Sequence, residues 1–518
     1  MIWILTSREI LWNKILFDKF LHKNLLGEIQ RKKSCNLVEM KPSAVVLFMS
    51  LVFVALGVLG WVIPEEGVKM GSAVLRFPSP SSLLAENDNN APIDVDSTLI
   101  RLQRSSEIGD VQTTLDSLKF YKQFFLGNEA RIFFPNNDYT YWDPLFELLR
   151  KSSVSRIFRV MHYGDSQIEM DRISSTIRQN LQERVGGMGP GILPPVQTIP
   201  TFTVIQSATG MHRYVCYGDS SQPRAPHRRY GLMATCAQVN GSATFSARAS
   251  AGKRAQPLAK KFQKVTLLVG NNSANFSATC KGVTKSLPNA IKGVSLLQWD
   301  FKDTLSNVSI TLNGTADVYG VALEGRTGAS VSNVPMRGCS GTIFTRIDSA
   351  VLGQCYRKAG VDLIIMQYGG NMMPSISSDK AVSNYMTMIS KQLKYIHTLY
   401  PHAKILFIGP SDMSKRVNGK LQSYPYLAKM NESLKQTVLA NDAAYWDMFH
   451  VMGGENSMIQ WVNHSPAWAG PDYVHFTETG AAEIARILSN AFLTYYDFYL
   501  LRSRCNSALV HQFMIRGE

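Results

Sequence analysis

The stretch RIFRVMHYGDSQIEMDRI, residues 156–173, decides the fold class. Residues 157–161 form a short apolar run typical of a buried strand, and apolar residues then recur at helical spacing along 173–181. Gly164-Asp165-Ser166 lies between the two. We therefore predict a strand–turn–helix unit with Ser166 at the carboxyl end of the strand, beside a helix N-terminus whose N–H groups can stabilise an anion.

The same alternation of short apolar strands and amphipathic helices continues toward the C-terminus. Strands separated by helices predict a parallel sheet covered on both faces, with functional loops at the carboxyl ends of its strands. The predicted strands are 318–323, 363–367, 405–408 and 444–448, and the predicted helices include residues 386–396, 426–439 and 484–488.

Residues 200–317 break this rhythm. They are rich in Ser, Thr, Val, Asn and Gly, have no long helical period, and contain strand-like runs such as 264–269 and 308–312. We therefore predict an all-β, jelly-roll-like module inserted into the α/β domain. A short helix is predicted at 111–125, and the Pro-, Ser- and Asn-rich residues 64–98 predict a flexible linker.

Residues 44–63, AVVLFMSLVFVALGVLGWVI, carry no charge and as a helix would span roughly 30 Å, a bilayer core. Basic residues precede this run, and Glu65 and Glu66 follow it, so the positive-inside rule places the N-terminus in the cytoplasm. We expect an inner-membrane anchor with a periplasmic or extracytoplasmic catalytic domain. A cleaved signal peptide starting near Met40 and a buried core helix are the alternatives.

The net charge of +15 raises the question of a polyanionic partner. The sequence has no zinc-knuckle spacing and no basic region with heptads, so we do not expect nucleic-acid binding. None of the seven cysteines forms a Cys-x-x-Cys pattern, which argues against a structural zinc site. Cys216 with Cys236, and Cys339 with Cys355, are possible disulfides in an exported domain; free buried thiols are the alternative.

A serine hydroxyl needs a base to act as a nucleophile, and residues 471–476, PDYVHF, supply one. Asp472 and His475 are three residues apart, just before a helix predicted to begin near Thr477. A loop there can turn the carboxylate onto the imidazole, so that Asp472 fixes the tautomer and His475 takes the proton of Ser166. An incidental surface Asp and His is the alternative.

Two further segments leave predicted strands with residues suited to stabilising an oxyanion. Gln367-Tyr368-Gly369-Gly370-Asn371 offers the Asn371 amide, and Glu324-Gly325-Arg326-Thr327-Gly328 offers the Gly328 backbone N–H, with Gly325 nearby. A second Gly-Asp-Ser ends at Ser220, but prolines rather than a helix follow it, so we interpret it as a coincidence. The glycine-rich residues 186–191 follow a helix and are not a nucleotide site.

Gly-Asp-Ser, then Gly, then Gly-x-Asn, then Asp-x-x-His, in this order, resembles the four-block pattern of the SGNH (GDSL-like) hydrolases. The resemblance implies a flavodoxin-like three-layer domain in which Ser166 is the nucleophile and Asp472 and His475 complete the triad. It also implies an oxyanion hole of Ser166, Gly328 and Asn371, with Asp165 in support. The expected segments are 1–43 (cytoplasmic), 44–63 (anchor), 64–98 (linker), 99–199 and 318–500 (SGNH domain), 200–317 (β module) and 501–518 (tail).

The inserted β module resembles that of bacterial peptidoglycan O-acetylesterases. The expected reaction is therefore removal of an O-acyl group, in particular O-acetyl, from a cell-envelope polysaccharide or peptidoglycan, with no metal or organic cofactor. One alternative is an O-acetyltransferase that receives acetyl from a membrane-bound O-acyltransferase partner. Another is an inactive glycan-binding envelope protein.

Overall fold

The computed structural model describes residues 111–504 and, outside that range, residues 68–70, 73–75, 510 and 514. The chain divides into two compact units, residues 1–108 and 109–518. In the first unit, strands β1 (Val68–Met70) and β2 (Ala73–Leu75) pair antiparallel within the predicted linker.

The predicted anchor, residues 44–63, lies outside the described residues, as do residues 1–43 and most of the predicted linker and tail. Among the residues that are described, no helix is both long and apolar enough to span a bilayer. The anchor therefore stays a prediction.

The second unit contains sixteen described strands and nine described α-helices. The strands are β3 (Ile132–Phe133), β4 (Ile157–Gly164), β5 (Gly191–Leu193), β6 (Val204–Val215), β7 (Thr235–Ala249), β8 (Phe262–Asn272), β9 (Phe276–Cys280), β10 (Val283–Leu287), β11 (Ile291–Leu305), β12 (Asn307–Glu324), β13 (Gly328–Pro335), β14 (Val361–Gln367), β15 (Lys404–Ile408), β16 (Ser414–Val417), β17 (Lys420–Ser423) and β18 (Ala444–Trp446). The helices are α1 (Val111–Gly127), α2 (Asp143–Ser152), α3 (Ser174–Val185), α4 (Ser349–Ala359), α5 (Asp379–Leu399), α6 (Leu427–Leu439), α7 (Met448–Val451), α8 (Ser457–Asn463) and α9 (Glu478–Arg502).

The central sheet has the order β13-β4-β14-β15-β18-β3. The first five strands are parallel, and β3 pairs antiparallel with β18 at one edge. In chain order the parallel strands lie 2-1-3-4-5, the order of the flavodoxin-like fold, which places a crevice where the order reverses, between β4 and β14. The α/β prediction and the parallel sheet are confirmed.

Register aligns the carboxyl ends of these strands along one edge of the sheet. Gly164 at the end of β4 pairs with Pro335 of β13 on one side and with Gln367 of β14 on the other. Gln367 in turn pairs with Ile408, and Ile408 with Trp446. Segments that leave these strands therefore converge at this edge, which we call the carboxyl edge.

Both faces of the central sheet are buried, as expected for parallel strands covered by helices. Along β4, Met161 and Tyr163 belong to a core that includes α4, α5 and α6, whereas Phe158 and Val160 belong to a core that includes α2, α3 and α9. Because side chains alternate between the two faces of a strand, the apolar residues of β4 thus contribute to both cores.

Strands β5 to β12 form a separate antiparallel sheet with its own apolar core, so the inserted all-β module is present. Both predicted boundaries of the module, residues 200 and 317, were wrong. At its start, β5 precedes residue 200 and already pairs with β12. Residues 318–323, predicted as the second strand of the parallel sheet, are the end of β12 and pair with β8 in the antiparallel sheet. The second parallel strand is β13, which begins at Gly328, so the β module continues past residue 317 to Glu324.

Candidate active site

Ser166 follows the end of β4 at the carboxyl edge and begins a short 3-10 helix, Ser166–Asp171. The Asp165 carboxylate caps this turn by accepting the backbone N–H of Gln167 at 2.9 Å. The helix beside Ser166 is therefore a 3-10 turn. The chain kinks at Met170 and Asp171, which have positive φ, and the longer helix predicted along residues 173–181 begins at Ser174 as α3.

His475 and Asp472 lie in the loop that precedes α9. The Thr477 hydroxyl caps that helix by accepting the Gly480 N–H at 3.2 Å, so the helix starts where the sequence predicted. Asp472 Oδ1 accepts the backbone N–H groups of Val474 and His475, both at 3.0 Å. These bonds fold the loop so that the carboxylate faces the imidazole of its own segment.

The three side chains form a continuous hydrogen-bonded chain. Asp472 Oδ2 lies 2.7 Å from His475 Nδ1, and His475 Nε2 lies 2.8 Å from Ser166 Oγ. Partial burial opposes ionisation of Asp472, but hydrogen bonds from His475 and the loop backbone hold its pKa below the ordinary value. An ionised carboxylate only accepts, so Nδ1 donates, Nε2 is free to accept, and the serine hydroxyl donates to it.

Two side chains that the sequence analysis did not single out join the serine turn to the histidine loop. Gln167 donates from Nε2 to the Val474 carbonyl at 2.6 Å and accepts the Phe476 N–H at 3.2 Å. Arg172 donates to the carbonyls of Ser166 and Phe476, both at 2.9 Å. These bonds hold in register two segments that are 309 residues apart.

Asn371 lies in the segment after β14 and faces the Ser166 turn. Its Nδ2 donates to Asp165 Oδ2 at 2.9 Å and to the Cys339 carbonyl at 3.2 Å. Burial raises the pKa of Asp165 to about 6. Hydrogen bonds from Gln167 and Asn371 favour the ionised form and oppose part of this rise. The structure thus brings Asn371 and Asp165 together, as expected of an amide held in position by a carboxylate.

Gly328 does not lie at this edge, so its prediction as an oxyanion donor was wrong. It is the first residue of β13 and pairs with Ile157 at the amino end of β4, roughly 23 Å of strand from the carboxyl edge. Its N–H donates to the Arg156 carbonyl at 3.1 Å. Glycine is required there because a Cβ would lie 2.2 Å from the Gly186 backbone. The glycine that does follow β13 at the carboxyl edge is Gly338.

Ser220, the serine of the second Gly-Asp-Ser, lies in an exposed loop of the β module, where its neighbour Asp219 accepts bonds from Ser221. It has no histidine partner among the described residues. All five described cysteines, at positions 216, 236, 280, 339 and 355, are buried free thiols, so of the two alternatives the structure has free thiols.

Within the part of the chain that the structure describes, no three His, Cys, Asp or Glu side chains are grouped so that they would hold a metal ion. A hydroxyl bonded to an imidazole, which is bonded to a carboxylate, is an arrangement suited to nucleophilic attack on a carbonyl.

Comparison with known proteins decides the reaction class. A family model described as GDSL-like Lipase/Acylhydrolase matches residues 301–483, which include β13, Asn371, Asp472 and His475. Residues 301–483 are therefore similar to the acylhydrolases of this family, and the chain is a carboxylic ester hydrolase. The match begins after Ser166, and the structure supplies that residue by placing it against His475.

Of three solved structures compared with this esterase, the first has a TM-score above 0.5 and shares its fold. A peptidoglycan O-acetylesterase is 22% identical, with a TM-score of 0.57 over 70% of this chain and 96% of the other. A family two carbohydrate esterase from Cellvibrio japonicus is 10% identical, with a TM-score of 0.24 over 57% and 99%. One from Clostridium thermocellum is 11% identical, with a TM-score of 0.23 over 54% and 97%. No curated protein matches the sequence.

Proposed function

We propose that this esterase removes O-acetyl groups from a cell-envelope glycan. The observation that carries the proposal is the hydrogen-bonded chain Ser166–His475–Asp472, with distances of 2.8 and 2.7 Å. The glycan substrate is supported by the fold shared with a peptidoglycan O-acetylesterase and by an inserted β module in the same chain.

In the proposed mechanism Ser166 Oγ attacks the ester carbonyl while His475 Nε2 accepts the hydroxyl proton. The Asp472 carboxylate stabilises the imidazolium that forms. His475 then returns the proton to the departing sugar oxygen, which leaves an acetyl-serine. Water attacks this ester with His475 again as base, and acetate leaves as Ser166 is regenerated.

The tetrahedral intermediate needs donors aimed at its oxyanion. We assign the backbone N–H of Ser166, the backbone N–H of Gly338 and Nδ2 of Asn371 to this role. Asn371 already donates to Asp165 at 2.9 Å, and its second, longer bond to the Cys339 carbonyl at 3.2 Å is the one it would exchange for the oxyanion. Asp165 acts through Asn371 and is a positioning residue.

The repeated Gly-Asp-Ser provides a matched control for the test. Purified full-length protein is incubated with O-acetylated envelope glycan, and free acetate and acetylated products are measured. We expect Ser166→Ala to abolish acetate release and Ser220→Ala to leave it unchanged. Equal activity of wild type and Ser166→Ala would disprove the mechanism, and transfer of acetyl to glycan hydroxyls in excess of free acetate would replace hydrolysis by the acetyltransferase alternative.

We also propose that residues 44–63 tether this catalytic domain on the outer side of the cytoplasmic membrane. These twenty residues carry no charge and are long enough to span a bilayer as a helix. The basic residues that precede them support the orientation. Protease added to intact cells with a permeabilised outer layer should digest residues 111–504. Full protection of those residues until the inner membrane is lysed would contradict the proposal.

A further inference from the structure

A cleft of about 730 Å³ opens beside the Ser166 site, where the β module meets the α/β domain. Its module wall includes Arg213 at the end of β6 and Asp219 from the following loop. Its other wall is the loop after β13, with Arg337 and Arg346. We call this the arginine cleft, since three guanidinium groups and one carboxylate are its charged groups.

Two of the three arginines have no carboxylate partner among the residues that the structure describes. Arg337 is paired, because both carboxylate oxygens of the buried Glu169 accept from its guanidinium at 2.8 and 2.6 Å. Arg213 donates only a long bond of 3.4 Å to the Tyr217 hydroxyl, and Arg346 forms no ion pair among the described residues. With Arg337 neutralised by Glu169, Arg213 and Arg346 outnumber the one carboxylate in the lining, Asp219, so the cleft has a net positive charge.

The arginine cleft adjoins the site of ester cleavage through the loop that follows β13. Gly338 and Cys339 belong to its lining, and the Cys339 carbonyl accepts from Asn371 at 3.2 Å. The same loop is fixed to the end of β4 by the Met336 N–H, which donates to the Gly164 carbonyl at 2.8 Å. Burial raises the pKa of the Cys339 thiol to about 11, and the positive charge of Arg346 acts against that rise.

We propose that Arg213 and Arg346 bind a carboxylate of the glycan whose ester is cleaved at Ser166, so that the enzyme prefers acidic over neutral acetylated glycans. The planar guanidinium fork matches the two oxygens of a carboxylate, and a cleft walled by low-dielectric protein strengthens the attraction. This inference rests on the proposed function and adds to it the substrate class. A sugar bound with its carboxylate in the cleft would present a neighbouring acetyl ester to Ser166.

The experiment compares full-length wild type, Arg346→Gln, the double variant Arg213→Gln/Arg346→Gln, and the control Arg504→Gln. Arg504 is exposed and follows the far end of α9, a helix whose 25 residues span roughly 37 Å from its start near His475. Acetate release is measured on O-acetylated polygalacturonate, which is acidic, on O-acetylated glucomannan, which is neutral, and on 4-nitrophenyl acetate. Binding of unacetylated polygalacturonate is measured by calorimetry.

We expect the wild type to have a higher kcat/KM on the acidic polymer, with a preference that decreases as salt is added. Arg346→Gln should lower that value roughly fivefold and the double variant at least about tenfold, mainly through KM, whereas Arg504→Gln should not. Activity on 4-nitrophenyl acetate should stay unchanged in all variants. Equal wild-type kcat/KM on both polymers, or an equal loss on both in the double variant, would overturn the inference.

The two proposals fail in different ways. If the wild type cleaves no acetyl ester at all, the proposed hydrolysis is wrong, and the arginine cleft is judged by polygalacturonate binding alone. Binding that is unchanged in the double variant overturns the inference in that case as well.

Discussion

Replacement of Asp472 by asparagine changes one carboxylate oxygen to an NH₂ group in the hydrogen-bonded series Asp472–His475–Ser166. Asparagine keeps Oδ1, which accepts the N–H groups of Val474 and His475 at 3.0 Å, so the loop should retain its fold. It places an NH₂ group where Oδ2 lies 2.7 Å from His475 Nδ1. Two donors cannot share that contact, so His475 is expected to carry its proton on Nε2, where it can no longer accept from Ser166.

The magnitude follows from the bond that is lost. A hydrogen bond to a charged group contributes about 1.5–3 kcal/mol, and about 1.4 kcal/mol corresponds to a tenfold change in rate, so kcat should fall roughly 10- to 150-fold. The Asp472 side chain is 51% exposed, so water can replace part of its effect. The loss should therefore stay below the roughly 10⁴-fold typical of a buried triad aspartate.

The assay is 4-nitrophenyl acetate hydrolysis at pH 8, together with the thermal midpoint by circular dichroism. Asp379→Asn is the matched control, because Asp379 is an exposed aspartate paired with Lys429 and its replacement removes the same charge. We expect Asp379→Asn to retain full activity and both variants to keep the wild-type midpoint. More than half of the wild-type kcat in Asp472→Asn would refute the assigned role of the carboxylate.

Three other substitutions test the surroundings of the site. His475→Gln should lower kcat at least about 100-fold. His450→Gln is the control, because His450 is also bonded through Nδ1 to an aspartate three residues earlier, and it should leave kcat unchanged. Similar losses of kcat in the two variants would contradict the role of His475 as the base. Burial raises the pKa of Asp165 from 3.8 to about 6. Between these two pH values the folded protein binds a proton at Asp165 that the unfolded chain has released. The free energy of unfolding should therefore decrease as the pH rises from about 4 to about 6. Asp165→Asn should remove this decrease, as seen in urea unfolding between pH 4 and 6; identical pH slopes would contradict it. Arg178→Met should cost about 3–5 kcal/mol in unfolding free energy, since it leaves the Asp171 carboxylate buried and unpaired, and a cost under 1 kcal/mol would exclude that role.

The wrong prediction for Gly328 has a specific physical cause. Strand β13 is largely buried but contains Ser330, Ser332 and Asn333, whose polar groups find partners outside the strand. Such a strand does not have the apolar run by which buried parallel strands are recognised. The apolar end of β12 fits that pattern better, so the sequence predicts a parallel strand there. The glycine that follows it, Gly328, lies at the amino end of β13, away from the carboxyl edge.

The sequence by itself determined those parts of the site that are formed by residues close together in the chain. The apolar run of β4 followed by Gly-Asp-Ser places Ser166 after a strand, and the spacing of Asp472 and His475 lets one loop join them through its own backbone. Gln167 and Arg172 carry no local signal, since their partners lie about 300 residues away. Which side chains meet across that separation is fixed by strand order and register, because a shift of one strand moves every group at its end to another position.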